Sequence, residues 1–332
     1  MEDMAIRRRT RAANPRPWLK AADVGLAGGI PLLWLLALAV PERRWPRLCY
    51  RLEWLQASLH RAELTQVARA AAGFPGVSPG ADARSLALSV AAGATEHHLQ
   101  VLACRGPRGW KTRLRLDGAE HLDAALAAGR GAVLWVAHFC FNALAAKKAL
   151  HQGGYRVWHV SRPEHGFSKS ALGIRLYNRI RIGAEREFLA GRIVFDRSRP
   201  GAATLAAQRL LRKNGILSIT AGDWEGQRLA RIELGGGTIE LAVGAPGLAR
   251  LTCAALLPVF AVRDEHRVMR VTIEPPLPVV REGDADQALQ RAAQAFGALL
   301  AQYVCRYPEQ WRDWKKLEPS PTRGRDGTID GV

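Results

Sequence analysis

GAVLWVAHFCFNALAAKKALHQGG, residues 131–154, joins a strand signal to a helix signal, with His138 at the junction. Residues 132–137 are an unbroken apolar run after a glycine, the pattern of a strand buried on both faces of a parallel sheet. From residue 140 to 151 apolar side chains return at helical spacing, Lys147 and Lys148 fall in the later turns, and Gly153 with Gly154 can end the helix. Ligands of open α/β sheets bind beyond the carboxyl ends of the strands. A histidine there meets the partial positive charge of the next helix's N-terminus, which favours neutral imidazole, the form that accepts a proton.

Working outward, the same alternation repeats. YRVWHVSRP at 155–163 reads as a second buried strand, IVFDRSRPGAA at 193–203 as a short one, AATLAAQRLLRKNG at 202–215 as a helix and GILSITAG at 215–222 as another strand, with Asp223 at its end. Residues 244–262 give a helix and an apolar strand, RVMRVTIEPPLPV an edge strand, and residues 286–308 a long amphipathic helix. Upstream, WKTRLRLDGAEHLDAALAAGRG supplies a short alternating strand, a turn and a helix. The expected fold is α/β: a mixed, mostly parallel sheet covered by helices on both faces, with an N-terminal helical membrane-anchor region. Glycines 235–237 read as a tight turn rather than a phosphate cradle.

The boundaries follow from composition. Residues 1–23 form a basic tail, expected to be mobile, with RRRTR near its start. Residues 24–40, VGLAGGIPLLWLLALAV, carry no charge but are interrupted by glycines and Pro31 and flanked by basic residues on both sides. The run is at the lower limit for a span, so an interfacial or re-entrant anchor fits better than a spanning helix. Residues 41–109 read as a helical region in which His97 and His98 lie on a helix surface, 110–317 as the α/β domain, and 318–332 as a flexible tail.

The whole chain has 332 residues, 48% of them hydrophobic, enough for a large core. Its formal charge of +18 selects polyanionic partners, and ten tryptophans tilt the choice toward anionic membrane lipids. Nucleic acid is disfavoured, because no recognition helix or aromatic stacking platform accompanies the charge. The five scattered cysteines have no zinc-ligand spacing, so no metal site is expected. A phosphate loop, a nucleophile elbow, an HExxH pair and a dinucleotide fingerprint are all absent.

Several blocks stand in a specific order: VAHFCFNALA at the focal strand, SRP at 161–163, RIG at 181–183, GD at 222–223, GGGT at 235–238 and YPEQWRDWKK at 307–316. In this order the chain resembles the lysophospholipid acyltransferase superfamily, in particular the lauroyl and myristoyl acyltransferases of lipid A biosynthesis. The resemblance implies transfer of a fatty acyl chain from an acyl carrier protein or coenzyme A thioester to a hydroxyl of a lipid or glycolipid. It implies no other cofactor, and a place on the cytoplasmic face of the inner membrane, where such thioesters are made. His138 would be the general base. Arg162, Arg181 and Arg197 would bind phosphate or headgroup, as guanidinium groups suit phosphate.

At one position the chain departs from the family pattern. The acid expected five residues after the histidine is Ala143. Three readings follow: Asp223 or Glu164 supplies the acid from another segment, Asn142 orients His138 through its side-chain carbonyl, or the protein is a non-catalytic relative that binds membrane lipids.

Overall fold

The computed structural model describes residues 6–9, 17–77, 83–162, 164–195, 200–223 and 226–319. A seven-stranded sheet forms the centre, in spatial order β2, β10, β9, β3, β6, β4, β5. These are β2 (Leu114–Asp117), β3 (Ala132–Val136), β4 (Val157–Ser161), β5 (Gly191–Val194), β6 (Ile216–Thr220), β9 (Ala255–Arg263) and β10 (Met269–Ile273). Neighbours run parallel except β9 and β10. A smaller antiparallel sheet orders β1 (Arg7–Arg8), β7 (Arg228–Leu234), β8 (Gly237–Ala242) and β11 (Glu318–Pro319).

The focal strand β3 is buried along its whole length, between β9 and β6. Its pleat divides the interior. Val133 and Trp135 point into one core, where the Trp135 ring meets Phe296 at 4.3 Å, while Ala132, Leu134 and Val136 point into the other. Helices α9 (Pro200–Arg212), α10 (Gly244–Thr252) and α11 (Ala285–Arg306) cover the first face. The second is covered by α4 (Ala83–Cys104), α5 (Ala119–Ala127) and α6 (Lys147–Gln152). The mostly parallel sheet with helices on both faces is thus present, with one correction: β10 is interior, and β2 takes the edge beside it.

Before the sheet, α1 (Ala21–Ala39), α2 (Trp45–Gln56) and α3 (Arg61–Ala72) pack around α4. That surrounds α4, so His97, expected on a surface, is buried. Leu33, Leu36, Ala37 and Val40 form the stripe by which α1 touches the body, while Val24, Leu32, Trp34 and Leu35 are exposed on it. Among the described residues no single helix is long and apolar enough to cross a membrane; the segments Asp23–Ala39 and Glu42–Gln56 are bent by 115° relative to each other.

The basic tail is in part tied down. Arg7 and Arg8 pair with Arg228 and Leu229 of β7, and Arg7 forms a bidentate pair with Glu240. The glycine-rich hairpin is the expected turn: Gly235 and Gly236 both have positive φ, and a Cβ on Gly235 would run into the Phe74 ring. Helices α7 (Ala171–Leu176) and α8 (Asn178–Arg186) follow β4. Residues 320–332 lie outside the described residues.

Candidate active site

Past Val136 the chain makes one further, isolated pairing, with a segment far away in sequence. Phe139 bridges Trp311, the amide of Cys140 donates to the carbonyl of Gln310 at 2.8 Å, and the amide of Arg312 donates to the carbonyl of His138 at 3.1 Å. This antiparallel contact sets residues 310–313 beside the focal corner. The Gln310 side chain pins the segment to the end of β9, accepting from the Arg263 amide and donating to the Arg263 carbonyl, each at 2.8 Å. Trp311 and Trp314 are buried against Phe74 and against each other. The tryptophans of YPEQWRDWKK therefore dock the C-terminal segment onto the body.

The consequence is a histidine–carboxylate pair. Nδ1 of His138 lies 3.0 Å from Oδ1 of Asp313. Burial of the ring pushes His138 below its ordinary pKa, and the nearby Arg312 and Lys316 cations act in the same direction, against Asp313. Desolvation, more than the helix terminus, therefore favours the neutral imidazole. Burial would raise the Asp313 carboxyl, but His138 and Lys316 outweigh it and hold it below the usual carboxylate range.

Charges alternate outward from this pair. Lys316 Nζ stands 3.0 Å from Asp313 and 2.9 Å from Oδ1 of Asp223, whose Oδ2 is 3.3 Å from Nη1 of Arg9. Arg9 also donates to the backbone carbonyls of Asp223 and Gly226.

Beyond the carboxyl ends of β3, β4 and β6 lies a cavity of about 910 Å³ lined by His138. One wall is polar and cationic, with Arg162, Lys147, His165, Arg181 and Arg312; the other, from α9 and α10, is apolar, with Ala203, Leu205, Leu248 and Leu251. The helix after His138 starts as a π-helical turn, Asn142–Ala146, a form that often marks functional sites. It turns Asn142, Ala143 and Ala146 toward the cavity.

The cationic wall is built on Glu185, which is fully buried. It receives Lys147 Nζ at 2.5 Å, His165 Nε2 at 2.8 Å and Arg181 Nε at 2.9 Å. Burial alone would raise its carboxyl, but Lys147, His165 and Arg181 hold it far down. Burial pushes Lys147 down to about 8 and His165 down to about 4, each against the pull of Glu185. A neutral His165 thus donates its Nε2–H to the carboxylate.

The expected site residues fall unevenly. Asn142 and Glu164 line the cavity, while the carboxylate on Nδ1 of His138 is that of Asp313. Asp223 is one cation removed from the pair rather than in it. Arg162 and Arg181 line the cavity, Arg181 with its guanidinium on Glu185; Arg197 lies outside the described residues. Cys140 is buried against α4 and its thiol is pushed up to about 12 by burial, which rules it out as a nucleophile near neutral pH. Asp313 stands inside the C-terminal block YPEQWRDWKK. Its spacing from His138 carries no local signal.

No known family model matches this chain, and no curated protein matches it either.

Proposed function

We propose that the protein is a membrane-surface acyltransferase that moves a fatty acyl chain from an acyl carrier protein or coenzyme A thioester to a hydroxyl of a lipid or glycolipid. The observation that carries the reading is the pairing of buried Asp313 with His138, which lines a cavity that is cationic on one side and apolar on the other. Such a cavity suits an acyl chain against α9 and α10 with an anionic group near Arg162, Arg181 and Arg312.

In the reaction, Asp313 holds Nδ1–H of His138, and the acceptor hydroxyl gives its proton to Nε2 as its oxygen attacks the thioester carbonyl. The tetrahedral intermediate then expels the thiolate, which takes the proton from the imidazolium, leaving an ester and a free thiol. Pairing with a buried carboxylate stabilises the imidazolium that forms in between. The case for a non-catalytic relative rested on the missing acid at Ala143, and Asp313 supplies a carboxylate from a different segment.

Membrane association is supported by the exposed apolar side of α1, with Leu32, Trp34 and Leu35, and by the basic residues Arg43, Arg44 and Arg47 that follow it in sequence. Anionic lipids on the cytoplasmic face of the inner membrane would meet both features. A C-terminal reporter fusion active only in the periplasm would contradict this placement.

Lipid analysis of a deletion strain, complemented with wild type or with His138→Ala, tests the function. An acyl pattern restored by wild type and not by the variant supports acyl transfer and identifies the acceptor. Equal restoration by both refutes it.

A further inference from the structure

The N-terminal segment reaches the active-site corner through the side chain of Arg9. Residues 6–9 lie against β7, and the side chain of Arg9 turns inward, where its guanidinium spans the Asp223 carboxylate and the carbonyls of Asp223 and Gly226. Asp223 stands at the end of the parallel strand β6, next to the focal strand in the sheet. Lys316 sits between Asp223 and Asp313, 2.9 Å from one and 3.0 Å from the other. Five groups from four segments thus form one series of alternating sign that ends on the imidazole.

We propose that Arg9 is a positioning residue: by pairing with Asp223 it keeps Lys316 shared between Asp223 and Asp313, and so sets how strongly the Asp313 carboxylate engages Nδ1 of His138. The inference rests on the acyltransferase reading only for its effect on rate; the geometry it describes stands apart from the reaction.

The physical argument is competition. Lys316 divides its attraction between two carboxylates. With Arg9 in place, Asp223 is already paired, so Lys316 stays shared and Asp313 keeps its place. Without Arg9, Asp223 draws Lys316 toward itself and Asp313 pairs more strongly with His138, which then holds a proton more readily. Without Asp223, Lys316 turns wholly to Asp313 and the histidine releases its proton more readily. Among the described residues, the charged groups that act on His138 include Asp313, Lys316 and Arg312, and those that act on Asp223 include Lys316 and Arg9. Arg312 is common to every comparison below.

Histidine titration followed by NMR on the full-length, isotopically labelled protein tests this, with the His138 signal assigned by its loss in His138→Gln. The expected shifts alternate: upward by about one pH unit in Lys316→Met, upward by a smaller amount in Arg9→Met, downward in Asp223→Asn and Asp313→Asn. Arg9→Lys should recover part of the Arg9→Met shift. In a Lys316→Met background, Arg9→Met should add nothing, since the link is already cut. An unchanged His138 titration in Arg9→Met, with only a lowered melting temperature, would make Arg9 a mere tether and overturn the proposal. An undiminished Arg9→Met shift in the Lys316→Met background would overturn it too, leaving only a long-range charge effect. If Asp313→Asn fails to fold, the opposite signs at Arg9 and Asp223 still decide. The readout needs no turnover, so alternating shifts in a protein without acyl transfer would sustain this inference while sinking the proposed function.

Discussion

Oδ1 of Asp313 lies 3.0 Å from Nδ1 of His138 across 175 residues of chain, at a corner where the sequence motif has no acid of its own. The pair forms because the strand end after Val136 takes up residues 310–312 as an antiparallel partner. Its closeness is therefore a property of the C-terminal docking as much as of the focal strand.

Asp313→Asn should keep the fold and lower acyl transfer by about 10⁴, the effect of the same change in a serine-protease triad, or roughly 5 kcal/mol of barrier. Steady-state kinetics with a thioester donor checks it. A loss under tenfold, with His138→Ala inactive, would mean that another group orients the ring.

The rate should have an acidic limb set by His138. Burial depresses its pKa below the ordinary value of 6.5, and the base works only when neutral, so kcat/KM rises with pH through that depressed value and levels off above it. Lys316→Met, which removes a cation beside the ring, moves the limb upward. A limb above pH 7 in the wild type would contradict the burial argument.

Stability should fall on mild acidification. His98 is pushed down to about 4 by burial and by the Arg312 and Arg181 cations, and His97 and His159 lie well below 6.5. Between pH 6.5 and about 4 the unfolded chain binds protons that the folded one refuses, so stability is full above about 6.5 and is lost as pH falls toward 4. Each histidine contributes about 1.4 kcal/mol per unit of depression. Urea unfolding at pH 7 and pH 5 measures the slope; equal midpoints would contradict it.

Glu185→Gln should destabilise the protein by about 3–5 kcal/mol, because it leaves Lys147 buried without its counter-charge. Lys147→Met should cost less than Glu185→Gln. There the carboxylate keeps His165 and Arg181, and an apolar side chain of similar size replaces the cation. Chemical denaturation of both variants orders them, and the reverse order would contradict the reading of the cluster.

Replacing Leu32 and Leu35 together by Glu should release the protein from anionic vesicles without changing its unfolding midpoint. Both side chains are exposed on α1, and each transfer into the lipid boundary is worth about 1.5–3 kcal/mol. Vesicle flotation reads the release; undiminished binding would place the contact elsewhere.

The centre of the fold was legible where local pattern and burial agree. Residues 132–136 carry no polar side chain because both faces of β3 are covered, and that is visible without knowing the neighbours. Gly235 and Gly236 are legible because a two-residue hairpin needs positive φ. His97 reads as a surface residue because its burial comes from the packing of α1, α2, α3 and α8 around α4, a tertiary fact absent from its own periodicity. Arg7 and Arg8 were read as a mobile tail because a two-residue strand with charged side chains has no strand signature. At the site, His138 was found from its place at a strand end, whereas Asp313 was not, since only the long-range pairing of Phe139 with Trp311 brings it near. Asp223 was selected for the right region but stands one lysine away from the ring.

The most direct measurement is acyl transfer by purified protein in anionic vesicles, with labelled acyl thioesters and a panel of lipid acceptors, comparing wild type, His138→Ala and Asp313→Asn. The expected result is an ester product from wild type that falls by about 10⁴ in both variants. Turnover unaffected by both changes, or no turnover by wild type with any donor and acceptor while the fold and vesicle binding are intact, would contradict the assignment of this histidine–aspartate pair to acyl transfer.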